Sequence, residues 1–154
     1  TTEHGCLSDF SNVGTGLDLV APGGGADADL SDDPRCDPAD DTLRDIYQVT
    51  LKRRGSTEFG IPERYEGTSM AAPHVSATAA LIIASGVLGP APTPAMIEAR
   101  LKATARDLGT TGKDSRYGEG LIDAAAATRQ GPGVRRPAPA APPPRPPQRS
   151  PGFG

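Results

Sequence analysis

Charged side chains are absent between Met70 and Ser85. The run MAAPHVSATAALIIAS carries no Asp, Glu, Lys or Arg, and its apolar residues fall on every side of a helical wheel. A helix that is apolar all round sits either in a protein core or in a membrane. A membrane span needs about 20 predominantly apolar residues. This run is alanine-rich and includes Pro73, His74, Ser76 and Thr78, so the pattern predicts a central, buried helix and no membrane span. Gly86 is a fitting stop, because glycine readily takes the left-handed conformation after a last turn. Further on, TPAMIEARLKATARDL (93–108) places Thr93 as a cap and Pro94 in the first turn, which favours a helix start. Ile97, Leu101, Ala105 and Leu108 form its apolar stripe, predicting a helix packed on the outer face of a sheet. LIDAAAATRQ (121–130) reads as a final helix. Two stretches have strand character: LDLVAP (17–22), a short apolar run closed by Pro-Gly, and DIYQVTL (45–51), weakly alternating and rich in β formers. Strands alternating with helices predict an α/β domain with a mainly parallel sheet.

The entry to the apolar run raises a chemical question. Gly67, Thr68 and Ser69 stand at its mouth, where backbone N–H groups lack partners and the helix dipole is positive. Ser69 reads in two ways. As an N-cap it would satisfy one of those donors, a place where Ser and Thr are preferred. As a nucleophile it would attack a carbonyl whose developing oxyanion meets the Ser69 N–H itself. Gly67 leaves backbone room for a substrate, Ala71 and Ala72 allow close packing beneath the site, and Pro73 removes the N–H that would bond the Ser69 carbonyl. Any serine nucleophile needs a base, which spacing alone does not reveal. Chemistry leaves both readings open.

Sequence resemblance decides between them. GTSMAAPHV (67–75) resembles the nucleophile motif of the subtilisin-like serine proteases, a long and specific signature. DFSNVGTGLDLVAPGGG (9–25) is similar to that family's segment upstream of the serine, where a Phe-Ser-Asn turn precedes a strand ending in Ala-Pro-Gly. YGEGLIDAAAAT (117–128) resembles its closing turn and last helix. The three motifs occur in family order and cover residues 5–130 with one insertion. The resemblance implies the later portion of a subtilisin-like, mainly parallel sheet with flanking helices. It also implies a serine endopeptidase acting on a peptide or protein substrate and secreted from the cell. Ser69 would be the nucleophile, its N–H an oxyanion donor, the Thr68 hydroxyl a helper, and Gly67 part of the substrate-binding entry.

The rest of the machinery does not match. A triad needs a histidine base and an acid to orient it; in this family these precede the serine, as does an oxyanion Asn. The sequence has two histidines. His74 belongs to the motif but sits about 140° round the wheel from Ser69, so it reads as a packed, hydrogen-bonded core residue. His4 lies too close to Phe10 to be the family's base, and no Asp precedes it. Asn12 falls in the turn after the region that should hold the oxyanion Asn. Residues 1–130 therefore read as a partial catalytic domain that needs the missing N-terminal part as its partner. The alternatives are an inactive fragment or degenerate relative, and an interaction protein displaying its Pro-rich arm.

Composition adjusts this picture at its edges. Hydrophobic residues are 36%, aromatics 4%, and Trp is absent, which predicts a thin, alanine-built core. A net charge of −3 argues against a nucleic-acid role. The tail 131–154 holds nine Pro, four Gly, four Arg and no acid, and reads as a disordered, extended arm, more a linker than an SH3-type ligand. Without it, residues 1–130 carry 12 basic against 19 acidic side chains, a net −7. Eight of those acids are the Asp residues between 27 and 45, within an insertion (26–45) that leads toward the strand before Ser69. Calcium is a candidate ligand because the family often binds it. The spacing does not fit an EF-hand loop, so a solvated acidic insertion with no metal and no cofactor is the expectation. Cys6 and Cys36 are the only cysteines. In a secreted family member an even pair points to a disulfide tethering the insertion to the turn before it; in a cytoplasmic relative they would be two free thiols.

Overall fold

The computed structural model describes residues 1–30, 32–40, 45–63 and 65–130. The Pro-rich arm at 131–154, with Asp41 and Arg44 of the insertion, lies outside them. Five elements follow in order: β1 (Thr50–Leu51), β2 (Phe59–Gly60), α1 (Thr68–Ser85), α2 (Pro94–Ala103) and α3 (Ala124–Thr128).

The helices form where the apolar pattern placed them, α1 beginning two residues before the apolar run and α2 and α3 shorter than expected. Thr93 caps α2, its hydroxyl accepting from Met96 N–H at 3.3 Å with Pro94 next. Asp123 caps α3 in the same way, accepting from Ala126 N–H at 2.8 Å. Gly86 stops α1 in the left-handed conformation, φ 68°, and donates to the Ile83 carbonyl. The orphan carbonyls at the end of α3 are met by Arg100 of α2, whose guanidinium donates to Ala126, Ala127 and Arg129 at 2.8–3.0 Å. That leaves few carbonyls to water at a helix end that would otherwise fray.

Two apolar clusters divide the core. Ile82 of α1, Leu101 of α2 and Ala127 of α3 make one, with Leu19, Val75 and Ile97 packed around them. Leu7, Leu108 and Tyr117 make the other, joined by Val20 and Leu121. Leu19 and Val20 are adjacent in sequence yet serve opposite clusters, as side chains on an extended segment must. The predicted strand at 17–22 is therefore a partition between the two clusters. It is held by Val20 N–H to the Gly120 carbonyl (3.0 Å) and Ile122 N–H to the Val20 carbonyl (3.0 Å), a parallel bridge between Val20 and Leu121. Leu121 also pairs antiparallel with Arg106. Gly120, at φ 119°, lies where any Cβ would run into the Arg106 carbonyl, so only glycine lets these backbones meet.

Four expectations change. The mainly parallel sheet is not present among the described residues: the parallel pairing is a single bridge, and the one ladder is the antiparallel ribbon β1–β2, with Leu51 opposite Phe59. DIYQVTL contributes only its last two residues to that ribbon; Phe59 on it and Tyr47, Val49 and Ile61 beside it stay exposed. α2 ends at Ala103, so Leu108 leaves the helical stripe and joins the second cluster; α2 packs on α1 rather than on a sheet. The predicted central helix α1 is not buried. Its buried side chains are Thr78 and Ile82, while Leu81 and Ile83 are 51% and 52% exposed. α2 and α3 cover one side of α1, and none of the described residues covers the other. No described helix is long and apolar enough to cross a membrane.

Ile82, fully buried between α2 and α3, is the point where truncation should be felt most. Ile82→Ala is expected to lower the unfolding free energy by about 2–5 kcal/mol, read from urea denaturation. The same change at exposed Ile83 should cost far less.

Candidate active site

The loop before α1 is fixed by its backbone. Gly67 donates to the Gly23 carbonyl at 2.8 Å and, through its own carbonyl, accepts from Met70 at 2.9 Å and Ala71 at 3.3 Å. It is the N-cap residue, at φ 137° and ψ 164°, with no side-chain cap. The cap reading of Ser69 thus gives way. Thr68 and Ser69 are the first two residues of the helix, and both are exposed. Among the described residues neither the Ser69 hydroxyl nor its N–H has a hydrogen-bond partner. The result is a free hydroxyl and a free backbone donor side by side at the positive end of an 18-residue helix. Such an arrangement can attack a carbonyl and meet the charge that then develops on its oxygen. Thr68 lines an adjacent apolar cavity of about 300 Å³ with Phe10, Leu17, Leu19, Ala71 and Val75.

No base reaches Ser69 among the described residues. The His74 ring is half-buried and bonded to the Met70 carbonyl at 2.8 Å, one turn back along α1. His4 Nδ1 faces Asp27 Oδ2 at 2.9 Å, with Nε2 3.8 Å from Asp40. Asn12 is exposed on the loop after Phe10 and also lines the cavity.

The acidic insertion is more structured than its charge implied. Asp27, its second residue, is 1% exposed. Its carboxylate accepts from Thr2 Oγ1 at 2.6 Å, from His4 at 2.9 Å and from Asp37 N–H at 2.9 Å. Burial pushes this carboxyl up, but the three hydrogen bonds outweigh it and hold its pKa below the usual carboxylate range. The hydrogen bond His4 donates to Asp27, against a smaller opposing effect of burial, holds the His4 pKa above its ordinary value. Cys6 and Cys36 form a disulfide with Cα atoms 5.8 Å apart, tethering the insertion to the segment before the Phe10 turn. Arg116 Nη1 donates to both carboxylate oxygens of Asp32 at 2.8–2.9 Å, and Arg35 pairs with Asp33 through Nε and Nη2 at 2.6–2.9 Å. The expectation of a purely solvated acidic loop fails at Asp27. Nothing in the local pattern separates Asp27 from exposed Asp29, two residues on; the contacts with Thr2, His4 and Asp37 come from the fold.

The exposed serine at this glycine-opened helix mouth stands behind an extended Ala-Pro-Gly segment. The Subtilase family model matches residues 1–120, and the chain belongs to that family. It is 34% identical to alkaline elastase YaB of a Bacillus strain over 84% of this chain and 25% of that protein. It is equally similar to subtilisin Savinase of Lederbergia lenta, over 84% of this chain and 36% of that one. An extracellular protease of Xanthomonas campestris is also 34% identical, over 82% of this chain and 18% of the relative. Among solved structures, a lanthipeptide protease superposes with a TM-score of 0.62 at 30% identity, covering 82% of this chain and 39% of that one. A protease from Pseudoalteromonas arctica gives 0.61 at 30% identity, over 83% and 33%. The subtilisin-like fold is thus shared, and the chain spans only about a third or less of the curated relatives it matches.

At φ 137°, Gly67 occupies a conformation that side-chain-bearing residues rarely adopt. Gly67→Ala should destabilise the chain by about 1–3 kcal/mol. Its effect on a heteronuclear NMR spectrum should centre on residues 66–71 rather than on α2 and α3.

Proposed function

We propose that this chain is the nucleophile-bearing part of a serine endopeptidase. Ser69 Oγ attacks the scissile carbonyl of a peptide or protein substrate. Its proton passes to a histidine base, the amine leaves, and water then cleaves the acyl-enzyme. The Ser69 N–H receives the oxyanion, with the Thr68 hydroxyl beside it and Gly67 giving the substrate room. The observation that carries this reading is the exposed, unpartnered Ser69 hydroxyl and N–H on α1, inside a sequence match to proteases that includes GTSM.

The base, its orienting acid and the oxyanion Asn belong to polypeptide beyond this chain. His74 and His4 are both engaged elsewhere. The uncovered side of α1, with Leu81 and Ile83, gives such a partner an apolar surface to close over, consistent with the small share of each relative that the chain spans. The chain alone is then inactive. The reaction draws on no cofactor, and calcium bound elsewhere would act on stability only. The Cys6–Cys36 disulfide and the extracellular relative support an oxidising, extracellular destination.

Two measurements test the reading. A fluorophosphonate probe should leave Ser69 unlabelled in this chain as it stands. In subtilisin, of the same family, loss of the histidine base costs about 10⁶ in kcat, a magnitude borrowed from that relative. Joined to the polypeptide encoded immediately upstream of Thr1, the chain should hydrolyse peptides and label at the serine, and Ser69→Ala should abolish both. A joined protein with no labelling would put the degenerate-relative reading in its place.

A further inference from the structure

The segment 23–27 lies between two parts of the chain. On one side are residues 1–9: Thr1 O accepts from Gly23 N–H (2.9 Å), Ser8 Oγ donates to the Gly24 carbonyl (2.8 Å), Asp9 N–H donates to Ala26 (3.0 Å) and Ala28 N–H to Leu7 (2.8 Å). On the other side is the loop that opens α1. Gly67 donates to the Gly23 carbonyl at 2.8 Å, and Gly24 packs against the Tyr65 carbonyl and Asp45. The insertion's exit closes the same contact, with Ile46 N–H donating to Tyr65 at 2.9 Å. Asp27 ends this segment, buried and held by Thr2, His4 and Asp37.

We propose that Asp27 is a positioning residue for Ser69: clasped by Thr2 and His4, it fixes the 23–27 segment, and through the Gly23–Gly67 hydrogen bond it sets the order of the helix entry that carries the serine. Ser69's role in that statement rests on the proposed function; the mechanical coupling does not. His4 is the member of the clasp whose ordinary pKa lies closest to neutrality, and its partners raise it. The charged groups around it are Asp27, Asp40 and Glu3, with the Arg106 guanidinium beside neighbouring Gly5. Because these carboxylates hold its pKa above 6.5, the charge-assisted part of the clasp is complete below that value. It is lost as pH rises through the folded-state pKa. Above that pH a neutral ring still donates from Nδ1 to Asp27, so the entry loosens without detaching.

Amide hydrogen exchange on the full chain reads this directly, with no dependence on activity. After correction for intrinsic exchange, protection at Gly67, Met70 and Ala71 should fall severalfold between pH 6 and pH 8.5, while Leu101 and Ala127 stay level. Asp27→Asn should speed exchange at those three amides by about tenfold or more, the loss expected for hydrogen bonds to a charged group. His4→Gln should abolish the pH dependence and leave protection at its high-pH level. If Asp27→Asn unfolds the chain, His4→Gln decides alone, since its ring is partly exposed and its loss leaves no cavity. Unchanged protection at Gly67, Met70 and Ala71 in a folded Asp27→Asn, or a pH dependence that survives His4→Gln, overturns the proposal.

Discussion

The backbone hydrogen bond from Gly67 to Gly23 ties together what would otherwise be two loosely related halves. One half is an apolar helix whose mouth carries the serine. The other is an extended segment, 17–27, that separates two small hydrophobic clusters and then turns into an acidic insertion. Backbone pairing at this point requires that neither chain carry bulk there. A Cβ on Gly23 would stand 2.9 Å from the Gly67 carbonyl, and Gly67 itself needs a conformation open to glycine. The two glycines are therefore a joint condition, and the exposed Ser69 follows from it.

The core explains why that joint must be reinforced. Among the described residues, two clusters of three buried residues each supply little apolar burial, and one side of α1 has no cover. Polar devices hold the periphery instead. The Cys6–Cys36 bridge closes a separation of 30 residues, a constraint that acts chiefly on the unfolded chain. Arg100 fastens α3 to α2 through three carbonyls. Asp27 gathers Thr2, His4 and Asp37 around one buried charge. A buried carboxylate of this kind is tolerated because every contact to it donates a hydrogen bond, and losing one donor costs more than an ordinary surface contact.

At the mouth of α1 the exposed Ser69 hydroxyl and N–H have no hydrogen-bond partner among the described residues, and both imidazoles are engaged elsewhere. His74 steadies the first turns of α1 through the Met70 carbonyl. His4 serves the insertion. A serine without a base is an ordinary alcohol, and no base reaches Ser69 among the described residues.

Much of this was legible in the sequence because it depends on local causes. The helix read from the apolar run 70–85, its glycine stop, the cap at Thr93 and a final helix within 121–130 follow from propensity, capping chemistry and a specific motif, none of which needs a distant partner. What the sequence left undecided was everything set by neighbours far along the chain. Whether LDLVAP joins a sheet depends on which strands flank it, and a single bridge to Leu121 is what it finds. Whether an apolar helix is buried depends on how many sides are covered, and α1 is covered on one. Asp27 looked like one more solvated charge in an acidic run; only the fold brings Thr2, His4 and Asp37 within hydrogen-bond reach of it. Charge and spacing report what a residue can do, but burial and partnership arise from contacts between distant segments, and those the tertiary structure alone decides.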